Sequence, residues 1–192
     1  MTDFKSSWDR HYPSCNPVGY MMRETGARHW LRLHSLPESK RYPETNAEQQ
    51  TLLARHNELA DDILGRRGHC WLAQTCWESP DGQKDAAPGD RFWPCRDYAL
   101  SFSYRFVVDE GDHVTHAWKV YAAPARWDHA KFDKLLLAIS NWEVAPTLWL
   151  AGSGAVFAPY DGGIDLFLPT LSQVEMLTTK YSDWLSPHPQ GL

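Results

Sequence analysis

Tyr98-Ala99-Leu100-Ser101-Phe102-Ser103-Tyr104-Arg105-Phe106-Val107-Val108-Asp109 carries a large apolar side chain at every even position, with Ala99, Ser101, Ser103 and Arg105 between them. A period of two is that of a strand with one buried face. Asp109-Glu110-Gly111-Asp112 then turns the chain, and Val114, Trp118 and Val120 alternate with Thr115, Ala117 and Lys119 as far as Tyr121. The stretch Tyr98–Tyr121 therefore predicts a long antiparallel hairpin with one heavy aromatic face. Such a face needs a cover of helices.

The flanks supply them. Upstream, Thr45-Asn46-Ala47-Glu48 has capping-box spacing, and Leu52, Leu53, His56, Leu59, Ala60, Ile63 and Leu64 follow as one apolar stripe that Gly65 can end. Downstream, Asp128 is placed to cap a helix whose stripe is Phe132, Leu135, Leu136, Ile139 and Trp142, stopped by Pro146. A third helix carries Val174, Leu177, Tyr181, Trp184 and Leu185 behind a second box, Ser172-Gln173-Val174-Glu175. Strands are expected at His29–Leu36, His69–Trp77, Thr147–Ala151, Ala155–Tyr160 and Ile164–Leu168, the last two joined by a turn at Asp161-Gly162-Gly163 whose glycines are free to take positive φ. Residues Met1–Ala27, with two prolines and two glycines, read as an irregular wrap, and Glu78–Asp97 as a long loop. The expected fold is α+β: a single domain, residues 1–192, with a largely antiparallel sheet of five to seven strands and three helices mainly on one face.

Composition narrows the function classes. A formal charge of −5 and the lack of any basic run argue against nucleic-acid binding. The acidity is concentrated late, where Glu143, Asp161, Asp165, Glu175 and Asp183 face Lys180 alone. No apolar signal segment or bilayer-length run is visible, so a cytoplasmic protein without membrane partners is expected. In that compartment Cys15, Cys70, Cys76 and Cys95 are expected as free thiols. Ten Trp is a heavy load for cores or binding surfaces.

Chemistry is less legible. Cys70 and Cys76 lie on one predicted strand, roughly 20 Å apart, too far to share a metal ion. Neither metal nor cofactor is expected. Asp161 and Asp165 flank two glycines and are open to acid–base work, but Asp before Gly-Gly is also ordinary hairpin composition. His34-Ser35, His56 and Trp127-Asp128-His129 each offer part of a catalytic triad, and none sits in a nucleophile elbow. No catalytic residue is assigned.

Two stretches carry a resemblance: Trp30-Leu31-Arg32-Leu33-His34-Ser35-Leu36-Pro37-Glu38-Ser39-Lys40-Arg41-Tyr42, and Val156-Phe157-Ala158-Pro159-Tyr160-Asp161-Gly162-Gly163-Ile164-Asp165 leading to Trp184-Leu185-Ser186. They resemble uncharacterised bacterial proteins of about this length, some of them immunity partners of polymorphic toxins such as those carried by Rhs-type delivery proteins. The resemblance implies an antitoxin that binds and neutralises a cognate toxin acting in the cytoplasm, and it brings no catalytic residues. An acidic, Trp-rich domain suits a toxin with a basic active-site cleft, since charge speeds encounter and aromatic anchors slow release. Asp161, Asp165 and Asp183 are the first expected contacts, and the helix face of Glu58, Asp61 and Asp62 the second, though that face also reads as merely solvated. Phe92-Trp93 in the long loop reads as either an interface anchor or a plug over the sheet. Two alternatives stay open: a small hydrolase using Asp161 or Asp165, and a homo-oligomeric regulatory scaffold.

Overall fold

The predicted hairpin is the longest in the protein, but its aromatic face is split. In the computed structural model, which describes residues 3–27, 29–78, 94–109 and 115–186, seven strands form one sheet: β1 (Trp30–His34), β2 (His69–Glu78), β3 (Ser101–Asp109), β4 (Thr115–Arg126), β5 (Thr147–Ala151), β6 (Val156–Pro159) and β7 (Gly163–Phe167). Their order is β1-β7-β6-β5-β2-β4-β3, and every described pair is antiparallel. The β3–β4 register slips between Phe102 and Tyr104. Such a bulge inserts one unpaired residue and reverses the parity of the side chains beyond it. Phe102 therefore meets Tyr121 on one face, while Tyr104 and Phe106 meet Phe4 and Trp118 on the other. Tyr98 and Leu100, expected in the strand, lie before it and pack into the first face.

Because both faces are apolar, both are covered. Six α-helices are described where three were expected: α1 (Phe4–His11), α2 (Gly19–Glu24), α3 (Asn46–Leu64), α4 (Pro94–Asp97), α5 (Asp133–Ser140) and α6 (Leu171–Lys180). The three expected ones, α3, α5 and α6, do share a face. They bury Leu59, Leu136 and Leu177 against a ring cluster of Trp127, Phe132, Trp149 and Phe157, whose neighbouring centroids lie 5.3–6.0 Å apart. The opposite face is covered by the segment expected to be irregular: Phe4 and Trp8 of α1 and Met22 of α2 pack on Val120, Val156 and Phe167. Strands β5, β6 and β7 are buried on both faces, which is why their sequences show little alternation.

Helix starts follow hydrogen bonding more closely than spacing. Thr45 and Glu48 do form the predicted capping box, with the Glu48 N–H donating to Thr45 Oγ1 at 3.2 Å and the Thr45 N–H to Glu48 Oε2 at 3.0 Å. Lys40, together with the backbone N–H groups of Glu44 and Thr45, holds the Glu48 carboxyl down at about 2. Thr45→Ala is expected to cost about 1 kcal/mol in chemical denaturation, since the Glu48 N–H loses its acceptor. The second box is shifted from its predicted place, with Thr170 capping α6 and Gln173 replying. Asp128 does not cap α5, which begins after Phe132 without a side-chain cap. Gly65 ends α3 at φ 78° as expected, whereas Gly163 is needed for a different reason. A Cβ there would stand 2.5 Å from the Leu33 carbonyl oxygen of the paired strand.

Candidate functional site: an aromatic cleft over two buried carboxylates

Strands β1 and β7 pair so that Arg32 stands opposite Asp165. The guanidinium grips the carboxylate with two hydrogen bonds, Nε to Oδ1 at 2.8 Å and Nη2 to Oδ2 at 2.9 Å, and the Trp30 indole N–H adds a third at 2.9 Å. Arg32 also lies over the rings of Tyr160 and Trp30, 4.7 and 5.4 Å from their centroids. Burial alone would make this arginine easier to deprotonate, but Asp165 more than compensates and its pKa is raised. Burial pushes the Tyr160 phenol up to about 12.

A second pair sits one turn away. Glu38 and Ser39 adopt left-handed backbone (φ 56° and 57°) after β1, and the chain that follows carries Arg41 and Tyr42 to Asp161. Arg41 Nε donates to Asp161 Oδ2 at 2.6 Å and the Tyr42 hydroxyl donates to the same oxygen at 2.9 Å. Burial opposes ionisation of Asp161, but hydrogen bonds from Arg41, Trp142 and Tyr42 hold its carboxyl below the usual range. Asp161 and Asp165 were expected as exposed contact charges or as an acid–base pair. The structure corrects the first idea: each carboxylate is buried and bound to its own arginine, with 5% and 2% of the residue's surface exposed.

Above these pairs opens a cleft of about 560 Å³ on the α1–α2 side of the sheet, with walls of Tyr20, Trp77, Trp118, Trp142, Val144 and Pro146. Three of these rings are exposed far beyond the norm for large aromatics, Trp142 at 72%, Trp77 at 45% and Tyr20 at 41%. Trp142 holds a left-handed φ of 59°, a strained conformation for a bulky residue. Its indole contributes to the lowering of the Asp161 pKa, so it stands at the rim above that carboxylate while most of its surface stays open. Ala117 pairs with Glu78, and Trp118 with Trp77, at the end of β2, which places two indoles side by side on the far wall. Such a cleft, apolar on its sides and charge-balanced at its floor, is fitted to take up an apolar or aromatic group.

The other expected positions fall elsewhere. Asp61 accepts hydrogen bonds from the Trp127 indole N–H at 2.9 Å and from Arg66 at 2.8 Å, and its Oδ2 lies 2.9 Å from His129 Nδ1. Asp62 binds Lys180 and the Tyr181 hydroxyl, which also donates to Glu58. That helix face is thus bound by α6 and by the chain before α5, while Glu58 and Asp62 stay exposed. Asp183 is exposed, and its charge acts on Arg55. Phe92 and Trp93 lie outside the described residues. Among the candidate triad parts, Ser35 Oγ and His56 Nε2 do meet, at 2.7 Å, but both residues are fully enclosed between β1 and α3. Burial pulls His56 down to about 3, and its Nδ1 has no hydrogen-bond partner. No group of three or more His, Cys, Asp or Glu able to hold a metal ion exists among the described residues, and no described helix is long and apolar enough to cross a membrane.

Trp142 and Tyr20 are not marked as site residues by their spacing, the first because it fits a helical stripe and the second because its helix has no clear period. A signal was present for each: Trp142 lies just beyond the last turn of its helix, and Gly19 lets α2 approach Ala158, where a Cβ would sit 3.3 Å away.

An antiparallel sheet covered on both faces, with an aromatic cleft at one end of its central strands, defines the class of this protein as an α+β domain. Residues 18–189 match the family described as Domain of unknown function (DUF3885), and the chain belongs to that family. No curated protein and no solved structure matches it. Helix α1 lies ahead of the matched span.

Proposed function

We propose that this protein is an immunity protein that binds and neutralises a polymorphic, Rhs-type toxin in the cytoplasm, and that the aromatic cleft is the surface that holds the toxin. The observation that carries this reading is the exposure of Tyr20, Trp77 and Trp142 around one apolar hollow. Rigid aromatics in a concave, desolvatable site are what binding energy concentrates on. The resemblance supports the same place. Its two stretches are distant in sequence, yet they pair as β1 and β7 and build the cleft floor from Arg32, Tyr160, Asp161 and Asp165. The occupant this favours is an apolar segment of the toxin flanked by basic residues, because Glu143 is exposed beside Trp142 at the rim.

Co-expression with the protein encoded by the neighbouring open reading frame, followed by growth and pull-down assays, tests the reading. A rescued toxic neighbour that co-purifies with the chain is the expected result. Trp142→Ala should then weaken the complex by about 2 kcal/mol or more while leaving the unfolding midpoint nearly unchanged, since the ring is mostly outside the core. A toxic neighbour left uninhibited would overturn the antitoxin reading. A chain whose mass rises with concentration and which captures no partner would favour the homo-oligomer, for which β3, last in the order of described strands, exposes Phe102 and Val107.

A further inference from the structure

Gln74 and Cys76 are two residues apart on β2 and so point to the same face of the sheet, the one covered by α3, α5 and α6. Cys95, on α4, packs against that face and donates its thiol to Gln74 Oε1 at 3.2 Å. Cys76 is the next side chain along that face from Gln74, and its interaction with the Cys95 thiol is the first cause of that thiol's lowered pKa. None of the four cysteines is in a disulfide, and the other two have different neighbours: Cys70 meets the Ala125 carbonyl, and Cys15 the Thr25 hydroxyl. Two thiols meeting across the ends of the stretch 77–94 are arranged as a thiol–disulfide exchange pair requires, one partly exposed and one nearly buried.

We propose that Cys76 and Cys95 are a redox-modification site, forming a reversible disulfide when the protein meets a low-molecular-weight disulfide such as oxidised glutathione. Cys95, the more accessible, acts first. Its thiolate attacks one sulfur of glutathione disulfide, an S–S bond breaks, and one glutathione leaves as thiolate. Cys76 then loses its proton and attacks Cys95 sulfur, and the second glutathione leaves. Two protein thiols are oxidised, one glutathione disulfide is reduced, and the two protons end on the two glutathiones. The interaction with Cys76 lowers the pKa of Cys95 against the effect of its burial, which favours the first step. Cys70 is excluded by its surroundings, since burial pushes its thiol up to about 11. The inference does not depend on the binding reading, because it concerns the opposite face of the sheet.

The test uses the full chain, reduced, then exposed to excess oxidised glutathione, alkylated, digested and analysed by mass spectrometry. Loss of two alkylatable thiols and a Cys76–Cys95 linked peptide are expected, with Cys70 still alkylated under denaturing conditions and the link undone by dithiothreitol. Cys76→Ser should instead stop at glutathione held on Cys95, and Cys76→Ala serves if the serine variant does not fold. Glutathione retained on Cys95 in the unaltered chain, or both thiols left unmodified, would overturn the proposal.

Discussion

Asp165→Ala is expected to destabilise the fold by about 3–5 kcal/mol, measured by chemical denaturation, because it strands a buried guanidinium. Arg32 has 11% of its side-chain surface exposed and spends both hydrogen bonds to Asp165 on one carboxylate, with Trp30 as a third partner left unmatched. Most of this cost is the penalty for an uncompensated charge and much less of it the worth of the pair, and the distinction is measurable. Arg32→Leu with Asp165→Leu removes both charges together, and the double variant is expected to regain a large share of the loss. If the double variant is as unstable as the sum of the two single ones, the two charges are not coupled and the argument fails. The floor of the cleft would be reshaped in either case, so partner affinity and stability are best read on the same samples.

Acidification from pH 6.5 to 5 is expected to cost about 2 kcal/mol of stability through His56 alone. In the unfolded chain this imidazole takes a proton near its ordinary value, about 6.5, whereas in the folded protein burial holds it neutral down to about 3. The unfolded state therefore binds more protons throughout that interval, and stability falls as pH falls, by about 1.4 kcal/mol per pH unit. The contribution is complete above the unfolded value and is lost progressively on the acid side. His34, also lowered by burial, acts in the same window, so the quantity to compare is the slope in the original chain against that of His56→Gln. Carboxylates with depressed values, such as Glu48, Glu78 and Asp61, lose their contribution only at lower pH, which keeps the 6.5 to 5 interval clean. Equal slopes in the two proteins would show that His56 is not held neutral.

Element order from β1 to α6, apart from the short α4 inside the expected long loop, was legible because long apolar periods and paired caps are local signals. What escaped were features set by distant neighbours. The bulge at Ser103 is invisible in an unbroken run of alternating aromatics, since only the partner strand decides where one residue is left over. Helix α1 is short, and its buried contacts are Phe4 and Trp8 alone, although Asp3 caps it by accepting from the Ser6 N–H at 2.7 Å. The aspartates flanking Gly162-Gly163 were read as surface charges because their arginines lie more than a hundred residues earlier. The cleft could not be read from sequence at all, as it is assembled from α2, the ends of β2 and β4 and the chain after α5.

The position of α1 has a consequence for synthesis. Phe4 rests on Trp71 and Tyr104, and the Tyr12 hydroxyl donates to the Gly154 carbonyl, 142 residues onward. Helix α1 leaves the ribosome well before the strands it packs on, and it waits for its seat until those strands have emerged and joined. Until then Phe4, Trp8 and Met22 have no sheet to cover, and the nascent chain carries them as unsheltered apolar side chains.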